Sequence, residues 1–228
     1  MSNTTSKLWH LESVNIFKDF SIEELAEVDK RSTMRSIDKD VYIYFPHDPA
    51  NVVFLLKSGR VKIGNYSDNG KEVIKTIIYP GEIFGELAIA GQSERTDFAK
   101  AMDKDVKICA ISKEEMVEIL SEIPRLNLKI TETIGDRIQQ LDRKFESLVF
   151  HTAEDRIIAY IRKMAIDRGI KIGHDILIKH NLSHQDIANL TATSRQTVTT
   201  VFNQLKKNGT INFERKRIMI YEFDELHV

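Results

Sequence analysis

The chain has 228 residues, 42% apolar and 29% charged, with a net charge of −1, which describes a protein able to bury a core in one large domain or two modest ones. Its single cysteine, Cys109, excludes an internal disulfide, an all-cysteine zinc site and an iron–sulfur cluster. No stretch approaches the roughly 20 apolar residues needed to span a bilayer, and the start "MSNTTSKLWHLESVNIF" shows no signal-peptide pattern, so a cytoplasmic protein with no membrane partner is expected.

Residues 11–30 read as short helices, with Ser21 and Glu24 placed as a capping box. From about Met34 to Ser112 the texture changes to runs rich in valine, isoleucine and tyrosine: "VYIYF", "VVFLLKSGRVKIGNY", "EVIKTIIY" and "DVKICAI". Turn residues punctuate them at Pro46, Pro49, Ser58-Gly59, Asn69-Gly70 and Pro80-Gly81. Asn69-Gly70 predicts a tight hairpin with positive φ at both central residues. Short strands at this spacing predict an antiparallel sandwich or barrel of the jelly-roll kind.

After Pro124 a long helix is predicted. Ile134, Ile138, Leu141, Phe145 and Leu148 are spaced four, three, four and three, which is a heptad seam. Such a seam either pairs with a second copy or lies on the chain's own barrel. "TAEDRIIAYIRKMAIDRG" is an amphipathic helix with Thr152 as N-cap and Gly169 as its stop. "IKIGHDILIKHN" reads as a strand pair.

"LSHQDIANLTATSRQTVTTVFNQLKKNGTI" carries two helices three to four residues apart, a helix-turn-helix pattern. Ser183 caps the first, with Asp186 three residues on, and Ile187, Ala188 and Leu190 point inward. The second opens at Ser194, buries Val198, Val201, Phe202 and Leu205, and stops at Gly209. Its exposed side groups Arg195, Gln196, Thr199 and Thr200. An arginine fork fits the O6/N7 edge of guanine and a glutamine fits the N6/N7 edge of adenine, so these four are the candidate base readers on double-stranded DNA. His184, Gln185, Ser194 and Thr197 sit at helix starts, where free backbone N–H groups favour phosphates. "INFERKRIMIYEF" reads as two strands around Arg215-Lys216-Arg217, a basic-tipped wing whose Lys216 suits the DNA backbone. The charge is uneven in the same sense: residues 150–228 hold 12 Lys+Arg and 9 Asp+Glu, a net of +3, against 21 and 25, a net of −4, elsewhere. No Ser-His-Asp set, metal cluster or phosphate-loop glycine pattern argues for catalysis, so no enzyme is expected.

"SHQDIANLTATSRQTV…LKKNGTI" behind "PGEIFGEL…ERT" resembles the CRP/FNR family of bacterial transcription regulators, in an order of parts that covers nearly the whole chain. The resemblance implies an α+β chain. Residues 1–123 would form a cyclic-nucleotide-binding-like β-roll (a jelly roll), 124–149 a long dimerisation helix, and 150–228 a C-terminal winged helix-turn-helix. It further implies a homodimer reading a near-palindromic site with half-sites one helical turn apart, and RNA polymerase as a partner. Family members typified by the cyclic AMP receptor carry glutamate in place of Gln196 and arginine in place of Thr200, so the preferred half-site should differ.

In the family's cyclic-AMP binders, the positions of Gly85 and Glu86 hold the ribose. Those of Arg95 and Thr96 hold the cyclic phosphate, and Arg137 matches a further pocket arginine. A carboxylate accepting from a ribose hydroxyl and a guanidinium on phosphate oxygens make sound chemistry. Asp97 departs from the small residue usual there, and Leu141 and Asp142 replace the adenine-reading threonine–serine pair. Three readings of the pocket follow: a cyclic nucleotide site, a site for another small effector, or a structural Glu86–Arg95 ion pair with Asp97 also able to pair with Arg95. Haem is not expected, because His47, the one histidine between Pro46 and Ser112, lies in a proline-flanked loop. Cys109 reads as a buried strand residue rather than a redox sensor. The rival to a DNA-binding regulator is a cyclic-nucleotide-binding regulatory module acting on a protein partner.

Overall fold

The computed structural model describes residues 20–214 and 216–221, together with Phe17 and Phe223. The helical reading of residues 11–16 and the wing position Arg215 lie outside the described residues. The chain divides into two compact units between Ile138 and Gln139.

The first unit is built on two four-stranded antiparallel sheets. Helix α1 (Ile22–Lys30) opens on the expected Ser21–Glu24 capping box and leads into β1 (Thr33–Ile37), β2 (Tyr42–Tyr44), β3 (Val52–Ser58), β4 (Val61–Tyr66) and β5 (Glu72–Ile78). There follow β6 (Ile83–Phe84), a one-turn 3-10 helix (Glu86–Ala88), β7 (Phe98–Ala101), β8 (Val106–Ser112) and helix α2 (Lys113–Glu122), capped by Ser112 and Glu115. One sheet runs β1-β8-β3-β6 and the other β2-β7-β4-β5.

The strands β3 and β8 explain the continuous apolar runs of the sequence, because both of their faces are buried. Phe54, Leu56, Ile108 and Ala110 point between the sheets, onto Val61, Ile63, Phe84 and Ala99. Val53, Leu55, Cys109 and Ile111 point the other way, onto Leu25, Val28, Met116 and Ile119 of α1 and α2. A strand covered on both faces shows no polar alternation.

The β4–β5 hairpin differs from its expected form. Only Gly70 takes a positive φ (76°), and the loop is five residues long. Gly70 N–H donates to Ser67 O (2.8 Å), Ser67 N–H donates to Lys71 O (2.9 Å), and the Ser67 hydroxyl accepts from Lys71 N–H (3.1 Å). The serine closes a wider turn that needs one left-handed residue instead of two.

Helix α3 (Pro124–Phe150) has 27 residues and is about 40 Å long. Leu126 and Ile130 are buried, and Ile134 packs on the same core. Ile138, Leu141, Phe145 and Leu148 are exposed, at 55, 57, 68 and 47%. The expected seam is therefore split, with Ile134 turned to the first unit's interior and the other four left open.

The second unit packs helices α4 (Ala153–Arg168), α5 (His184–Thr191) and α6 (Arg195–Lys207) on a sheet of order β11-β12-β10-β9. Its strands are β9 (Ile170–Ile172), β10 (Asp175–Lys179), β11 (Ile211–Glu214) and β12 (Arg217–Ile220). Ile157, Ile161, Ile178, Ile187, Val198, Phe202 and Ile218 fill its core. Thr152 caps α4 as read, but Gly169 stops the helix differently from a left-handed glycine: its φ is −69°. A Cβ there would overlap Ala165 O and Ile176 Cγ2, so glycine is required by close approach. Gly169→Ala is therefore expected to destabilise the second unit by roughly 1–3 kcal/mol, measured as a lower urea midpoint with an unchanged slope.

Candidate nucleic-acid interface and effector pocket

The helix-turn-helix is assembled from caps. Ser183 and Asp186 form a capping box at the start of α5, and Ser194 Oγ accepts from Thr197 N–H (3.0 Å) at the start of α6. Between the helices, Ala192 adopts a left-handed conformation (φ 51°, ψ 47°) without being glycine. One side chain that sequence reasoning passes over holds this turn. Arg156, in the first turn of α4, donates from Nε to Thr191 O (2.9 Å), from Nη2 to Ala192 O (3.2 Å) and from Nη1 to His151 O (2.8 Å). It satisfies carbonyls that a helix end otherwise leaves orphaned. Its acceptors are all backbone, so no partner residue marks the contact in the sequence.

Helix α6 buries Val198, Val201, Phe202 and Leu205 as expected. Arg195, Gln196 and Thr200 are exposed on its other side, and Thr199 is half-buried. Among the phosphate candidates, Gln185, Ser194 and Lys216 are exposed and Thr197 is partly so. Gln185 Nε2 donates to Asn189 Oδ1 (2.8 Å), and the Ser194 hydroxyl is occupied as a cap. His184 is turned inward: its ring lies 5.1 Å from Phe202 and 5.8 Å from Phe213, and Nδ1 is 2.9 Å from Thr199 Oγ1. Burial, aided by the charge of Arg195, lowers its pKa below the ordinary histidine value. A shallow groove of about 570 Å³ runs beside α6, bounded by Ser194, Gln196, Thr197 and Thr200 on one side and by Thr152 and Glu154 on the other. Glu154 places one acidic group along it.

In the first unit, Gly85 (φ 73°) turns the chain from β6 into the 3-10 helix that begins at Glu86. Glu86 and Arg95 are each 3% exposed. They do not pair with each other as one reading expected. Glu86 Oε1 pairs with Arg137 Nη1 from α3, and Arg137 Nη2 donates to Ile83 O. Arg95 spends Nη1 on Gly85 O (3.0 Å) and Nη2 on Val52 O, with its guanidinium 4.5 Å over the Tyr44 ring. Both terminal nitrogens of Arg95 are thus taken by carbonyls, one at the Gly85 turn and one at the start of β3, while Glu86 takes its cation from α3. Asp97 likewise pairs not with Arg95 but with Lys75 Nζ (3.0 Å) on β5. Thr96 is exposed and accepts from Gln92 Nε2 (3.3 Å).

Burial lowers the Arg95 pKa against the pull of Tyr44, Asp97 and Glu86, and burial also raises that of the Tyr44 phenol. Two buried polar atoms here have no hydrogen-bond partner among the described residues, Glu86 Oε2 and Arg95 Nε. An orphaned acceptor beside an orphaned donor suits a ligand that offers a hydroxyl to the first and an acceptor to the second. A cyclic phosphate fits only in part, since both terminal nitrogens of Arg95 are already committed. Elsewhere, His47 is on an exposed loop (φ 72°), and Cys109 is buried with Sγ 3.9 Å from Met34 Sδ. Among the described residues, no helix is long and apolar enough to cross a membrane, and no group of three or more His, Cys, Asp or Glu residues could hold a metal ion.

Removing the Arg156 clamp tests how the turn is held. Arg156→Met should cost roughly 2 kcal/mol, the order expected for charged hydrogen bonds to carbonyls, read as a lower denaturant midpoint of the second unit.

The family profile of the cyclic nucleotide-binding domain matches residues 34–122, and that of the Crp-like helix-turn-helix domain matches residues 155–227. The chain is 26% identical to a global nitrogen regulator of Synechocystis, over 82% of this chain and 84% of that one. It is 23% identical to the CRP-like cAMP-activated global transcriptional regulator of Mycobacterium tuberculosis, over 95% of this chain and 96% of that one. Among solved structures, a mutant of CooA from Carboxydothermus hydrogenoformans superposes with a TM-score of 0.79 at 26% identity, covering 94% and 93% of the two chains. The helix-turn-helix match sets aside the rival reading of a module that acts only on a protein partner. A β-sheet effector domain, a long helix and a capped helix-turn-helix in this order, matched along nearly the whole chain, place the protein in the CRP/FNR family of DNA-binding transcription regulators.

Proposed function

We propose that the chain works as a cytoplasmic homodimer that reads DNA through Arg195, Gln196, Thr199 and Thr200 of α6, holds phosphates with Gln185, Ser194, Thr197 and Lys216, and carries out no catalysis. The observation that carries this reading is the division of α6 into a buried apolar stripe and an exposed side where Arg195, Gln196 and Thr200 stand together at the N-terminal end. That end is the part of a reading helix that meets base edges in the major groove. Two copies pair along Ile138, Leu141, Phe145 and Leu148, burying side chains that the single chain leaves exposed. RNA polymerase is the partner that a regulator of this family implies.

The effector is a small polar molecule that donates a hydroxyl to Glu86 Oε2 and accepts from Arg95 Nε. The name of the Mycobacterium tuberculosis relative makes cyclic AMP the first candidate. Such a ligand shares the Glu86 carboxylate with Arg137, which holds the other oxygen. Arg137 and the proposed pairing row share α3, so occupancy biases the helix that joins the two copies.

Selection from random duplex DNA should enrich a near-palindromic site. Arg195→Ala should then cost roughly 1–3 kcal/mol and relax the choice at one guanine. Lys216→Ala should weaken all sequences alike and lower the slope of log affinity against log salt. Full site preference retained by Arg195→Ala would remove α6 from the reading role. Calorimetric titration with cyclic AMP and cyclic GMP tests the pocket: heat abolished by Glu86→Gln supports the effector site, and a silent titration rules out both nucleotides.

A further inference from the structure

Thr199 has its hydroxyl bound twice on the protein side, where the Thr197 hydroxyl meets only the Ser194 hydroxyl at 2.8 Å. Thr199 Oγ1 lies 3.0 Å from the Arg195 carbonyl one turn back and 2.9 Å from His184 Nδ1. A hydroxyl has one hydrogen. With that hydrogen given to the Arg195 carbonyl, Oγ1 accepts from His184 Nδ1–H, and the pair of contacts fixes both the imidazole tautomer and the threonine rotamer. The remaining group on Cβ is the Cγ2 methyl. The ring that sets this arrangement is itself held, by Phe202 at 5.1 Å and Phe213 at 5.8 Å.

We infer that Thr199 is a methyl reader that selects a thymine in the major groove, and that His184 is the positioning residue that turns its hydroxyl away from the base. The inference rests on the DNA-binding reading above and deepens it. Thymine is the base whose C5-methyl group stands in the major groove, where a threonine methyl makes an apolar contact with it. Arg195 and Thr199 are four residues apart on one side of the helix, about 6 Å along its axis. At about 3.4 Å per base pair, the thymine lies within roughly two steps of the guanine read by Arg195. His184 then leaves the set of phosphate contacts: its lowered pKa favours the neutral ring, and a neutral ring offers an anion no charge.

The test uses the full-length chain and the half-site enriched from random DNA, with each thymine replaced in turn by deoxyuridine, which lacks only the methyl group. Binding is read by fluorescence anisotropy. The wild-type chain should lose about fourfold at one thymine, the worth of one buried methyl. Thr199→Ser should still be directed by the guanine but bind thymine and uracil duplexes equally at that position, if the methyl is the reading group. His184→Leu should bring the thymine-to-uracil ratio towards one, and His184→Asn should restore most of it, because an amide N–H can stand in for Nδ1–H. The ratio cancels any uniform loss of affinity from a weakened fold. An enriched site at which uracil serves as well as thymine throughout, or a penalty that survives Thr199→Ser, overturns the inference alone. Failure to enrich any sequence overturns the DNA-binding reading and this inference with it.

Discussion

The reading helix is useful only if its approach to the rest of its unit is fixed, and one guanidinium fixes it. Arg156 ties the last carbonyl of α5 and the left-handed Ala192 to the start of α4. A three-residue turn with no glycine has little tolerance for a second conformation, and an arginine fork imposes geometry as well as charge. The buried stripe of α6 settles which side faces inward, while the clamp holds the end of α5 and the first residue of the turn. Caps at Ser183 and Ser194 complete the unit by meeting the free N–H groups at both helix starts.

The sensor pocket follows a different logic. Glu86 and Arg95 are almost wholly buried, and each is only partly satisfied. A buried carboxylate needs a counter-charge, and here it comes from α3 through Arg137. Arg95 is locked by two carbonyls and a tyrosine ring, which makes it a strut between the Gly85 turn and the start of β3. The Lys75–Asp97 pair nearby keeps a charge of each sign close to the pocket.

Much of this was legible in the amino-acid order, and the parts that were not have a common physical cause. The capping serines and threonine, the stripe of α6 and the runs of β3 and β8 are local patterns, set by residues a few positions apart. The short strands β6 and β7 carry too few residues to show alternation, and β1 is mostly exposed with no regular alternation of burial. β7, "FAKA", owes its existence to its two neighbours in the sheet. Arg156, Arg137 and His184 act through partners distant in sequence, and several of those partners are backbone atoms that every residue possesses. Side-chain chemistry placed Glu86 beside Arg95 and Asp97, but which cation each acid would take depended on distances that no spacing encodes.

Cys109 is the chain's single thiol, and it is enclosed between a strand and two helices, 5% exposed. Buried sulfur of this kind reacts slowly with alkylating reagents. A cysteine engineered on the outer side of α3 or α6 would thus be the one fast-reacting attachment point, and a spin label or fluorophore placed there would report on its own position without background. The fold has left this regulator ready for distance measurements in solution, with and without a small molecule in its sensor.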